Sequence, residues 1–185
     1  MTMPSAYAAI ARAMQWALAL CVLTFMPPAL AQTPAGGKTV LVMGDSLSAG
    51  YGLGPREGWV PLTAVKLSRE APGWTLVNAS VSGETSAGGA ARLGAQLQRV
   101  KPAVVVIELG ANDGLRGLPL AQTKANLDKM IRASQGAGAK VLVLGMRMPP
   151  NLGRDYTQGF ADTFSSLARQ YRTAFVPFFL EPIAS

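Results

Sequence analysis

Three short polar clusters in this sequence each follow an apolar stretch of strand-like residues. Gly44-Asp45-Ser46 follows the first stretch, Ser82-Gly83-Glu84 follows the second, and Gly110-Ala111-Asn112-Asp113 follows the third. In open α/β sheets, binding sites form beyond the carboxyl ends of the strands, so we expect the three clusters to meet at one edge. The sequence therefore predicts a single site assembled from three separate segments of the chain.

Ser46 is the residue of these clusters that could act as a nucleophile. A serine at a strand-to-helix turn places its hydroxyl at a helix N-terminus, where free backbone N–H groups can hold developing negative charge. Gly83 can direct its N–H into a site without side-chain obstruction, and Asn112 can donate a side-chain N–H. Together with the Ser46 N–H, these donors would form an oxyanion hole, in which one donor is worth about 3 kcal/mol.

Each of these residues also has an ordinary structural interpretation. An isolated Gly-Asp-Ser is more often a helix N-cap than a nucleophile. Taken alone, Gly83 is better explained as a turn glycine, and Asn112 as an Asx turn before Gly114. The hypothesis of a site depends on the three clusters following three successive strands in order.

The elements that must position these residues are apolar strands alternating with amphipathic helices. Strands are predicted at residues 38–43, 74–78, 103–109, 140–144 and 174–178, and helices at residues 59–70, 90–100, 119–134 and 155–171. The first of these helices carries an approximate apolar stripe of Trp59, Leu62, Val65 and Leu67. Strands and helices that alternate at this spacing predict βαβ units and a parallel three-layer α/β/α sandwich.

The start of the chain has the pattern of a cleaved secretory signal. Arg12 precedes an apolar run from Trp16 to Met26, and Ala29-Leu30-Ala31 is a small-residue cleavage site. We therefore predict a signal peptide at residues 1–31, a linker at 32–37 and one domain at 38–185. An uncleaved membrane anchor is the alternative, although the apolar run is short for a spanning helix. Cleavage would remove Cys21, the single cysteine, which suits export to a bacterial periplasm without disulfides.

Composition argues against several classes of partner. The formal net charge is +7, but the Lys and Arg residues are scattered, and nucleic-acid binding requires a clustered patch. The glycines at positions 50, 52 and 54 do not fit the G-x-G-x-x-G spacing, and no phosphate-binding G-x-x-x-x-G-K-[ST] run is present. These points disfavour a nucleotide-binding flavodoxin-like protein. Because histidine is absent, a catalytic metal site is also not predicted.

The three clusters, taken with their neighbours, resemble the first three sequence blocks of the GDSL/SGNH hydrolase family. The matching stretches are GDSLSAGY at residues 44–51, NASVSGETS at residues 78–86 and ELGANDGLRG at residues 108–117. The likeness continues through residues 147–149 and 176–179. Within the family, the chain resembles the bacterial periplasmic group of thioesterase I, lysophospholipase L1 and arylesterase.

This resemblance implies a flavodoxin-like fold and a monomeric enzyme that hydrolyses acyl esters, thioesters or lysophospholipids without a cofactor. It implies that Ser46 is the nucleophile and that Ser46, Gly83 and Asn112 are the oxyanion donors. It also implies that Met148 and Pro149 line a groove for the acyl chain. Neither a nucleic-acid partner nor stable membrane insertion is expected.

The family's fourth block, Asp-x-x-His, is missing from this sequence. In the family, that histidine takes the proton of the nucleophilic serine, and ordinary carboxylates are poor substitutes for it. We therefore expect a hydrolase domain that is incomplete at its C-terminus. We also expect it to be nearly inactive, because losing a triad member costs on the order of 10⁴–10⁶ in kcat. The alternative is a noncatalytic module that binds acyl chains or lipids.

Overall fold

A computed structural model of the chain describes residues 38–183. These residues belong to one compact unit, whereas the predicted signal peptide at 1–31 and linker at 32–37 lie outside the described residues. Within residues 38–183, every helix is too short or too polar to cross a membrane.

In the described part of the chain, five parallel strands form one sheet in the order β2-β1-β3-β4-β5. Their bounds are β1 Lys38–Gly44, β2 Trp74–Asn78, β3 Val104–Glu108, β4 Lys140–Leu144 and β5 Ala174–Val176. This order confirms the predicted flavodoxin-like arrangement. The chain reverses its direction across the sheet between β1 and β3, and the register pairs Gly44 with Glu108 at the ends of these two strands. Ligands of such sheets bind at this switch point.

Within residues 38–183, six α-helices connect the strands, and most of the predicted bounds are close to those observed. The helices are α1 Ser46–Ala49, α2 Trp59–Glu70, α3 Ser86–Val100, α4 Ala111–Leu115, α5 Leu120–Gly136 and α6 Arg154–Tyr171. Helix α3 begins four residues earlier than predicted because the Thr85 hydroxyl caps it, accepting a hydrogen bond from Gly88 N. Pro150–Leu152 and Glu181–Ile183 are single 3₁₀ turns.

One face of the sheet, here called the closed face, is covered by α3, α5 and α6. Alternate strand residues point to this face and are buried against the helices: Leu41, Met43, Val105, Ile107, Val141 and Val143. The helices contribute fully buried side chains that include Leu93, Leu127, Phe160 and Phe164, as their apolar periodicity predicts. Each such side chain gains about 1.5–3 kcal/mol from burial, so this face contains most of the stabilising core.

The other face, here called the open face, is only partly covered within residues 38–183. Helix α2 packs mainly on β2 at one side of it. The rest is a groove of about 360 Å³ lined almost wholly by apolar side chains: Val40, Val42, Trp59, Thr63, Leu67, Leu76, Val104, Val106, Leu142, Leu144, Val176 and Phe179. Parallel sheets normally have both faces covered, so this groove is the least finished part of the described fold.

The predicted apolar stripe of α2 is wrong at two positions. Leu62 and Val65 are 57% and 48% exposed, whereas Val60, which is not in the stripe, is 2% exposed. At 3.6 residues per turn, Val60 and Leu67 lie on one side of the helix, and Leu62 and Val65 lie well away from it. The four residues of the predicted stripe spread over too wide an arc to share a single contact with the sheet.

Candidate active site

Ser46 is the first residue of α1 and directly follows the turn at the end of β1. Asp45 is the N-cap of this helix, because its Oδ1 accepts a hydrogen bond from Leu47 N at 3.0 Å. The ordinary capping role predicted for Gly-Asp-Ser therefore belongs to Asp45. Ser46 is half-buried, and its hydroxyl makes no hydrogen bond within residues 38–183. Its hydroxyl is thus available for chemistry.

A buried carboxyl group lies beside this turn. Glu108 is 0% exposed, and its Oε2 accepts hydrogen bonds from Ser48 Oγ at 2.6 Å and from Asp45 N at 3.3 Å. Gly44 must lack a side chain here, since a Cβ would lie 2.6 Å from Glu108 Oε2. Burial, followed by the neighbouring Asp45 charge, raises the pKa of Glu108 to about 8. Glu108 is therefore mostly protonated at neutral pH.

Gly83 lies in the exposed loop between β2 and α3. A Cβ at this position would meet no atom within 4 Å, so lack of space does not require glycine here. The positive φ of +78° does favour glycine, because residues with a side chain rarely adopt it. The loop is tied to its neighbours at two points: Val81 N donates to Gly44 O at 3.0 Å, and Arg116 Nη2 donates to Gly83 O at 3.2 Å. The Gly83 N–H has no hydrogen-bond partner among the described residues.

Asn112 in α4 connects the other two clusters. Its Nδ2 donates to Glu84 O at 2.9 Å and to Asp45 Oδ2 at 3.4 Å. The first partner is adjacent to Gly83 in the chain, and the second is adjacent to Ser46. The structure therefore brings together the three segments that carry the predicted nucleophile and oxyanion donors.

Asp113 anchors α4 in the protein, a role that sequence reasoning missed. It is 1% exposed, and its carboxylate accepts hydrogen bonds from Ser86 N at 2.8 Å, Ser86 Oγ at 2.5 Å and Thr123 Oγ1 at 3.3 Å. These contacts fix the starts of α3 and α5 to α4. The hydroxyl residues Thr85 and Ser86 at the start of α3 were the signal available in the sequence.

Three acidic side chains are thus buried at this edge of the sheet. The pKa of Asp45 is raised by burial, lowered in part by the Leu47 N–H, and raised again by the charge of Asp113. Within residues 38–183, neither Asp45 nor Glu108 forms an ion pair with a Lys or Arg. No group of three or more potential metal ligands occurs in this part of the chain. The acids are therefore held by hydrogen bonds alone.

Met148 and Pro149 follow β4, and their environments differ. Met148 is 9% exposed and belongs to the closed-face core, where it approaches Gly114 and Phe160. Pro149 is exposed and caps the 3₁₀ turn that follows. Their predicted role as lining of an acyl groove stays a prediction.

A separate cleft of about 380 Å³ lies between the end of α1, the following loop, α2 and β2. Its walls are mostly small or apolar: Ala49, Gly50, Leu53, Gly54, Pro55, Gly58, Val60, Pro61, Ala64, Leu76 and Asn78. The cleft adjoins the short helix that begins with Ser46. Clefts of this size are typical of small-molecule sites.

Comparison with known proteins identifies relatives over almost all of the described region. A model of the GDSL-like Lipase/Acylhydrolase family matches residues 42–184. Esterase TesA of Pseudomonas aeruginosa is 51% identical over 149 residues, which are 80% of this chain and 74% of TesA. An arylesterase of Vibrio mimicus is 41% identical over 154 residues, covering 83% of this chain and 77% of the arylesterase. Thioesterase 1/protease 1/lysophospholipase L1 of Escherichia coli is 39% identical over 149 residues, covering 80% and 70%.

Solved structures agree with this result. A crystal structure of TesA matches with a TM-score of 0.77, covering 80% of this chain and 82% of the TesA chain.

Proposed function

Since this chain belongs to the GDSL-like lipase/acylhydrolase family and is a carboxylic ester hydrolase, we propose that it acts through an acyl-enzyme on Ser46. The observation that supports this proposal best is the pair of bonds from Asn112 to Asp45 and to Glu84. These bonds place the Ser46 turn and the Gly83 loop around one side chain. The bonds support the proposal because they hold the segments of the proposed nucleophile and donors next to each other.

The proposed reaction begins when Ser46 Oγ attacks the carbonyl carbon of the ester and loses its proton to a base. The carbonyl oxygen becomes an alkoxide, which the N–H groups of Ser46, Gly83 and Asn112 stabilise. The carbonyl then reforms as its bond to the leaving oxygen or sulfur breaks, and the base returns its proton to the departing alcohol or thiol. Water hydrolyses the acyl-serine, which yields the free acid and restores Ser46. Asn112 must free one N–H for this role, and we assign the one on Asp45 because that 3.4 Å bond is the longer.

We further propose that turnover by this chain is slow, because its sequence contains no histidine to accept the serine proton. Glu108 is a poor replacement because its protonated form dominates at neutral pH and its Oε2 is bonded to Ser48 and to Asp45 N. Asp45 is likewise occupied as a helix cap. The remaining rate acceleration would come from the oxyanion donors and from substrate binding. In serine enzymes that lack a triad member, this acceleration is on the order of 10³–10⁴-fold over the reaction in water.

The proposed substrates are small acyl esters, thioesters and lysophospholipids, hydrolysed by a monomer. The printed names of the relatives support this range: an esterase, an arylesterase and a thioesterase/lysophospholipase. We also propose that the protein is exported to a bacterial periplasm after cleavage near Ala31. Mass spectrometry of the periplasmic product would check this, since an intact N-terminus in the membrane fraction would contradict it.

The experiment that tests the proposed function measures hydrolysis of aryl esters, acyl thioesters and lysophospholipids by the purified chain and by Ser46→Ala. We expect slow turnover that Ser46→Ala abolishes. Ser68→Ala, which removes an exposed hydroxyl from α2, is the matched control and should change nothing. Turnover that survives Ser46→Ala would overturn the nucleophile, and Ser46-dependent turnover near that of TesA would overturn the predicted slowness.

Binding of acyl chains without turnover is a second candidate function, favoured by the absence of histidine from the sequence. A binding module would retain a fatty acid or a lysophospholipid equally well with and without the Ser46 hydroxyl. Calorimetry with wild type and Ser46→Ala would decide, since a dedicated binder needs tight binding together with undetectable ester turnover.

A further inference from the structure

Glu108 occupies a position in the fold that the ester chemistry above leaves unexplained. Side chains alternate along a strand, so Val104, Val106 and Glu108 of β3 point to the same, open face of the sheet. The first two are apolar, and the third is a fully buried acid at the strand end. Burying a carboxyl group costs free energy that an apolar side chain at the same position would not.

The contacts of Glu108 all concern the turn that carries Ser46. Its Oε2 is bonded to Asp45 N, one residue before Ser46, and to Ser48 Oγ, two residues after it. From the other side, Asn78 Nδ2 of β2 donates to Ser48 O at 2.8 Å. Helix α1 has four residues, too few to be stable by itself, so these side chains from two strands determine where it sits.

We propose that Glu108 is a positioning residue, a proposal that rests on the proposed role of Ser46. As a neutral acid it clamps α1 to the end of β3 and so aims the hydroxyl and the N–H of Ser46. Ser48 Oγ and Asp45 N both donate to Oε2, so the acid proton of the neutral form belongs on Oε1. In the ionised form, Oε1 would be a charged, buried atom without a hydrogen-bond partner.

The surroundings of Glu108 make its ionisation disruptive. Asp45 from the β1–α1 turn faces it, Asp113 from α4 acts on Asp45 in turn, and Gly44 and Ser48 are uncharged. Burial and the Asp45 charge raise the pKa of Glu108 to about 8. Above that pH, two neighbouring carboxylates would repel each other across the clamp and loosen α1.

Amide hydrogen exchange of the peptide covering residues 45–51, with the α5 peptide as internal reference, tests the clamp without depending on turnover. In wild type we expect protection of residues 45–51 to fall about tenfold, after correction for intrinsic rates, from one pH unit below the Glu108 pKa to one unit above it. Glu108→Gln keeps the shape without the ionisation and should abolish this pH dependence. Glu108→Ala should lower protection at both pH values.

Val106→Ala is the matched control, because it truncates a buried side chain on the same face of β3 that does not belong to the clamp. It should keep the wild-type exchange pattern in residues 45–51. The same four proteins are then treated with a fluorophosphonate, and labelling of Ser46 is followed by intact mass. We expect Glu108→Ala to slow labelling about tenfold relative to Val106→Ala, and Glu108→Gln to react like wild type below the Glu108 pKa.

If Glu108→Ala shows the amide exchange of residues 45–51 or the Ser46 labelling rate of wild type, Glu108 does not position α1. If Glu108→Gln keeps the pH dependence of exchange seen in wild type, that dependence does not come from the neutral form of Glu108. If Glu108→Ala does not fold, the Glu108→Gln profile decides alone. These failures differ from failure of the proposed function. In that case the exchange pattern appears as expected, but ester turnover is insensitive to Ser46→Ala.

Discussion

The two faces of the sheet support different halves of the candidate site. The half that carries the proposed oxyanion donor Asn112, called the oxyanion half below, is fixed under the closed face, where Asp113 joins α4 to Ser86 of α3. The half that carries the proposed nucleophile Ser46, called the nucleophile half below, is fixed on the open-face side, where Glu108 and Asn78 hold the four-residue helix α1. One half therefore depends on a dense apolar core, and the other depends on a few buried polar contacts.

Because of this difference, substitutions on the two faces should affect two separate properties, the free energy of unfolding and the position of Ser46. A change under the closed face removes contacts that hold the whole domain together, so it should lower the free energy of unfolding strongly. A change on the open-face side should cost less stability but disturb the turn that carries Ser46. Substitutions on the two faces, compared with each other, test this contrast.

Phe160→Ala should have the largest effect. Phe160 is fully buried in the closed-face core, in edge contact with Phe164 at a ring distance of 5.1 Å. Its truncation should lower the free energy of unfolding by about 3–5 kcal/mol, measured by urea denaturation. A loss below about 1 kcal/mol would show that the closed face is not the principal core.

Asp113→Ala should follow, at about 2–4 kcal/mol in the same urea titration, because it leaves the buried N–H and hydroxyl of Ser86 without their acceptor. Asp113→Asn is the milder companion, since its amide oxygen can still accept one of these bonds. If the alanine variant is as stable as wild type, the oxyanion half is not anchored through Asp113.

The pH dependence of stability tests the nucleophile half. Folding raises the pKa of Glu108 from its ordinary value of 4.5 to about 8, so the folded protein keeps a proton that the unfolded chain releases in this window. The free energy of unfolding of wild type, relative to that of Glu108→Gln, should therefore be highest below pH 4.5. It should fall as the pH rises from there towards 8, by up to about 1.4 kcal/mol per pH unit. Thermal melts of both proteins across this range measure it, and parallel curves would contradict it.

A leucine pair gives the most direct comparison of the faces, and its open-face member has the smallest expected change. Leu127→Ala, in the closed face at 1% exposure, should cost about 3 kcal/mol. Leu142→Ala, in the half-buried wall of the open groove, should cost about 1 kcal/mol because less apolar surface is lost. Equal losses in urea titrations would mean that the open face is as well packed as the closed one.

Most of the fold could be predicted from the sequence because its signals are local. The bounds of β2, β4 and α2 were predicted to the residue, since strand and helix periods change sharply at Pro72-Gly73 and at the glycines before Lys140. Helix α4 was missed because five residues that include Gly114 carry no usable periodicity. The face of α2 was misjudged because it depends on the groove beside it, which is a tertiary property.

The sequence predicted that the three segments of the candidate site meet at one edge of the sheet, but it did not predict the buried contacts that hold them there. Strand order brings Ser46, Gly83 and Asn112 to one edge, and that follows from the alternation of elements. The buried roles of Glu108 and Asp113 depend on which neighbour each carboxyl group faces, and no single segment encodes this. One signal for Glu108 was present in the sequence, because it alternates with Val104 and Val106 on one face of an otherwise apolar strand.

The position of Trp59 gives the open groove an intrinsic optical probe. Its ring meets Phe179 at 5.2 Å, and its Nε1 is buried without a hydrogen-bond partner among residues 38–183. The other tryptophan in this region, Trp74, lies at the start of β2 beneath the Lys38 ammonium group. Fluorescence emission from Trp59 should therefore shift when an aliphatic molecule fills the groove, and Trp59→Phe should remove that signal while leaving the Trp74 emission in place.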